Sequence, residues 1–134
     1  MVASRLLATV VVSLLFLGIV GCGPTLYQPS GKLTKSGAPL KLSEKAVLEI
    51  ALFAESDAAF GEPYAVSWEK DGAFKVVGRN GGIPAGKYKM SIVLKDPYSA
   101  DAKDVLEGRM AKGKGPVFEV KNSSSEIVVD LDKK

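Results

Sequence analysis

Histidine is absent from this chain, and cysteine occurs once, at position 22. The first absence removes the commonest general base and the commonest metal ligand. The second excludes an internal disulfide. No serine sits in a Gly-x-Ser-x-Gly elbow, so the usual nucleophile pairs are missing as well. Neither sign of charge dominates, since 18 Lys and Arg stand against 15 Asp and Glu for a net charge of +3. The one basic concentration, Arg109, Lys112 and Lys114, lies among glycines without the aromatic interleaving that single-strand binding requires. It reads as a solvated loop, and no nucleic acid is expected as a partner.

Long hydrophobic runs are also missing, except at the start. Arg5 precedes an apolar stretch from Leu6 to Val20 broken only by Thr9, Ser13 and Gly18, and small residues follow. At 1.5 Å per residue that stretch covers ~22 Å, short of the ~30 Å hydrocarbon core, so it reads as a secretory signal and not as a lasting membrane span. Residues 1–21 are therefore expected to be a signal peptide, 22–29 a tether with two prolines, and 30–134 a single folded domain. A body of that length can bury roughly two-thirds of its unfolded surface, enough for a real core.

The quartet Ile19-Val20-Gly21-Cys22 resembles the lipobox of bacterial lipoproteins, with Val20 where Ala, Ser or Thr is commoner. The resemblance implies cleavage between Gly21 and Cys22, a diacylglyceryl group on the Cys22 thiol and acylation of the new amino terminus, commonly by palmitate. Such anchoring is physically sufficient, because each buried methylene contributes ~0.8 kcal/mol and two or more chains hold a protein on a bilayer. Glycine and not aspartate at position 23 implies, by the same resemblance, sorting to the outer membrane, facing the periplasm or the cell surface.

From Ser30 onward short alternating segments are punctuated by glycine and proline, the pattern of an antiparallel β-sandwich. Seven strands are expected: 31–35, 46–54, 64–69, 73–77, 87–95, 117–121 and 126–131. Tyr64, Val66, Trp68, Phe74 and Val76 should face the core, as should Tyr88, Met90, Ile92 and Leu94. Asp71-Gly72 between alternating runs is a hairpin signal. Ala102, Val105 and Leu106 show helical spacing, with Asp101 before and Gly108 after, which predicts one short helix or a structured loop over 99–108.

Three segments in order resemble the carboxypeptidase-regulatory-like, or transthyretin-like, domain. They are the Gly31 to Leu40 strand and turn, Asp71-Gly72-Ala73-Phe74, and Gly82-Ile83-Pro84-Ala85-Gly86-Lys87-Tyr88. The whole chain is similar to short lipoproteins of planctomycete-type bacteria, whose ends resemble Val117 to Val120 and Ile127 to Leu131. This implies a prealbumin-like or Ig-like sandwich and no catalytic residues. Ala54 to Ala59 stands where the family has a proline-rich segment.

Several residue groups suggest chemistry. Gly81 to Lys87 matches a phosphate-binding loop in all but its last position, yet an alternating strand follows where the helix should open. Asp96, Asp101, Asp104 and Glu107 are the densest carboxylates and could offer oxygen ligands to calcium, although their spacing fits no known loop. Tyr98 is the aromatic side chain expected to be free for a partner. The expected protein is a non-enzymatic, lipid-anchored sandwich of the cell envelope with a structural or adhesive role towards an envelope protein or glycan, and with no cofactor. A small-ligand or calcium-binding carrier is the alternative, and a hydrolase of envelope glycans using Asp104 and Glu107 is the third reading.

Overall fold

The computed structural model describes residue 21 and residues 23–57, 61–122 and 126–133. The expected signal peptide up to residue 20, and Cys22, lie outside the described residues. The rest is an all-β sandwich. Its strands are β1 (Leu26–Tyr27), β2 (Ser30–Lys35), β3 (Ala38–Pro39), β4 (Val47–Ala54), β5 (Tyr64–Trp68), β6 (Ala73–Val76), β7 (Ile83–Pro84), β8 (Gly86–Lys95), β9 (Val117–Val120) and β10 (Glu126–Asp130). The seven longer strands are the seven expected, each within a residue at either end. The three two-residue strands carry no alternation to read.

One sheet runs β10-β2-β6-β5-β4-β8-β9, with β3 also on β2. β5 pairs with β6 through three residues and with β4 through only two, and around it the sheet folds onto itself. Leu33, Phe74, Val76 and Val129 on one layer then meet Leu48, Leu52, Met90 and Ile92 on the other in a single core. Period-two patterning explains the burial. In β8, Tyr88, Met90, Ile92 and Leu94 are buried while Lys87 is exposed and Lys89 half-buried. Tyr64, Val66 and Trp68 share the inward face of β5 but are only half-buried. Phe53 departs from the pattern: it lies on the outward face of β4 yet is buried, with the Lys112 ammonium 4.9 Å from its ring centre.

Every strand pair is antiparallel except β10 with β2, where Glu126 sits opposite Ser30 and Asp130 opposite Thr34. Gly31 is required at this junction. A Cβ there would lie 2.2 Å from the Ile127 carbonyl oxygen and 2.4 Å from the ring of Phe74, its partner across the sheet. The Asp71-Gly72 hairpin forms, but only Gly72 has a positive φ, 87°. The loop therefore has three residues, closed by bonds from Glu69 N to Ala73 O and Gly72 N to Glu69 O.

Between Ser99 and Gly108 the structure has successive turns and no helix. The segment from 96 to 116 instead runs along β8 beyond the reach of β9. Met90 N donates to Pro116 O, Ile92 N to Met110 O, and Val105 N to Leu94 O. Leu106 and Met110 from this segment are buried in the core. Part of the expected tether is also docked: β1 pairs with β7, Pro29 is fully buried, and its carbonyl accepts a 2.9 Å bond from Val76 N.

Candidate functional site

β10 ends one side of the sheet, so among the described residues one of its edges has no strand partner. Leu131 N, just past the strand, donates 2.8 Å to Thr34 O of β2. Backbone groups alternate sides along a strand, so Ile127 and Val129 also address β2. Val128 and Asp130 then turn their N–H groups to the free edge. Val128 is 64% exposed, and among the described residues no backbone partner faces it.

A groove of about 640 Å³ lies along this edge. Val128, Val129 and Asp130 in succession form one wall, which means the strand meets the groove with its backbone edge and not with one face. Met110, Gly115 and Pro116, held against β8 by the bonds described above, form the other. Gly115 fits only as glycine, because a Cβ would lie 1.6 Å from Met90 O. Three cations, Arg109, Lys114 and Lys133, border the groove, and all three are exposed. The Arg109 Nε donates to Leu106 O at 3.2 Å, which steadies the base of that side chain.

The carboxylate facing these cations, Asp130, is committed elsewhere. It accepts bonds from Gly37 N at 2.8 Å, Asp132 N at 2.9 Å and Ser36 N at 3.2 Å. The Asp132 and Gly37 amides foremost hold it below the ordinary carboxylate range. Asp132 in turn accepts the Ser36 hydroxyl at 2.5 Å. The arrangement can attract an anion and pair with an extended backbone.

The carboxylates singled out by density are dispersed to separate tasks. Asp96 accepts the hydroxyl and the amide of Ser43, which lower its pKa. Asp104 collects three amides, Leu94 N and Leu106 N at 3.0 Å and Gly108 N at 2.9 Å. Burial alone would raise its pKa, and those amides with nearby Arg109 outweigh that and lower it. Asp101 and Glu107 are exposed, and Glu107 has a positive φ of 53°. Among the described residues no three acidic side chains converge to hold a metal ion.

Tyr98 is 53% exposed, with the Lys95 ammonium 6.0 Å from its ring centre, and lines none of the larger cavities. Gly81 to Lys87 passes from a turn into β7 and β8, so no helix terminus is present to receive phosphate. Tyr64 and Tyr88 are structural: Tyr64 meets Tyr88 edge to face at 5.8 Å, and the Tyr88 hydroxyl donates 2.6 Å to Pro84 O. Gly21 is exposed and Cys22, the expected lipidation site, lies outside the described residues. Among the described residues no helix is long and apolar enough to cross a membrane.

Sequence reading missed Lys133, Val128 and the groove itself. The signal in the sequence is the Arg109 to Lys114 concentration, which reads as a solvated loop because it lies among glycines without interleaved aromatics. No family model, curated protein or solved structure matches the chain.

Proposed function

We propose that this chain is a non-enzymatic binding module of the cell envelope, held at a membrane by lipid on Cys22 and engaging a partner through the groove beside β10. The observation that carries the reading is the groove: a strand edge without a neighbour among the described residues, an apolar floor of Met110, Pro116 and Val129, and a border of three cations. Asp104 and Asp130 spend their carboxylates on backbone amides, which supports a reading of surface recognition. The anchor rests on the lipobox resemblance around Cys22. Membrane attachment by two or more acyl chains suits a domain whose own described surface has no spanning helix.

The test uses the full chain in a bacterial host that processes lipoproteins. Intact-mass analysis should find a product beginning at Cys22 and carrying acyl chains, and Cys22→Ser should leave an unlipidated precursor. A photo-crosslinking residue at position 128 should form an adduct with an envelope component, whereas one at exposed Glu49 should not. An unmodified thiol in the mature product ends the anchoring reading. Equal adducts from both positions, or none from 128, end the assignment of the groove.

A further inference from the structure

The geometry points to the class of partner. We propose that the groove receives an acidic peptide in extended conformation, which adds as a strand to the free edge of β10 and sets its carboxylates against Arg109, Lys114 and Lys133. This rests on the groove being the binding site.

Two independent features select that ligand. The first is backbone geometry. Val128 and Asp130 direct their N–H groups, and Val128 its carbonyl, away from β2, so an added strand finds hydrogen-bond partners at the spacing of a sheet. The edge carries no proline or bulge over Glu126–Asp130, the usual devices that discourage such pairing. A small anionic amphiphile could use the apolar floor and the cations but would leave those backbone groups unanswered. The second feature is charge. Three exposed cations border the groove against one carboxylate, and that carboxylate is engaged by the amides of Ser36, Gly37 and Asp132. A peptide with acidic residues in alternation places its carboxylates on one face, as period-two geometry requires. Complementarity of this kind governs encounter rate and register.

The probe is a fluorescent ten-residue peptide alternating valine and glutamate, titrated against the full chain in mild detergent and followed by anisotropy at low salt. Binding should weaken by about tenfold in the Lys114→Glu/Lys133→Glu variant and fall as salt screens the contact. A valine–lysine peptide should not bind. The backbone contribution is read twice. Methylating alternate amides of the peptide should abolish binding on one of the two edges, and Val128→Pro should weaken it while leaving the thermal midpoint near that of the parent chain, since the lost N–H faces away from β2. Binding that ignores both the methylation and the charge reversals overturns the proposal. If the acidic peptide fails to bind while position 128 still crosslinks in the envelope, the ligand class is wrong and the groove remains the binding site.

Discussion

Asp104 shows how a single carboxylate can organise a segment that has no regular structure. Its two oxygens take three amides, one of them on β8 and two in its own turn, so it both shapes the loop and fastens it to the sheet. Replacing it by Ala strands those partly buried N–H groups, and the expected cost is about 2 kcal/mol, visible as a lower urea midpoint at pH 7. Asn retains one acceptor oxygen and should lose roughly half as much. A midpoint unchanged in Asp104→Ala would contradict this account. Sequence density placed Asp104 among possible calcium ligands because its decisive partner, Leu94 N, is brought to it only by the fold. The lipobox resemblance around Cys22, by contrast, is wholly a matter of local sequence, and its test is chemical.

At the scale of elements, the strands were legible, and of the two forms expected over 99–108 the structured loop is the one found. β8 alternates so regularly that a one-residue slip would expose its apolar set, and that leaves one assignment for each face. The 99–108 segment has helical spacing but ends in turns for identifiable reasons. Glu107 and Gly108 have positive φ angles, 53° and 74°, and the Asp104 side chain caps amides that a helix would need. The whole connection from 96 to 116 also bonds to β8 through Val105, Met110 and Pro116 and inserts Leu106 and Met110 between the layers. Met110→Ala should therefore destabilise the whole body by about 2–4 kcal/mol in chemical denaturation, as a core truncation does. The amides of Met90 and Ile92 should exchange as slowly as those facing a true strand. Rapid exchange at both would mean the loop packs without completing the sheet.

For the molecule as a whole, acid is the informative stress. Asp96, Asp104 and Asp130 each bind a connection to the body, and each has its pKa lowered on folding. Because the folded values lie below the unfolded value near 3.9, the ionised forms favour the native state above about pH 4. That contribution disappears as pH falls through the lower folded values. The thermal midpoint should stay level from pH 7 to about 5 and drop below about 4, with a shallower fall in Asp104→Asn/Asp130→Asn. A midpoint indifferent to pH down to about 3 would show that these carboxylates do not hold the fold together. The parallel alignment of β10 with β2 has a directional consequence. Ser30 lies three residues beyond the docked Tyr27, and both strands travel away from it in the same sense, so Val128 and then Asp130 come successively farther along. If lipid is attached at Cys22 as proposed, only Gly23, Pro24 and Thr25 separate it from the docked Leu26, at most about 14 Å of chain, which keeps the body within that reach of the bilayer.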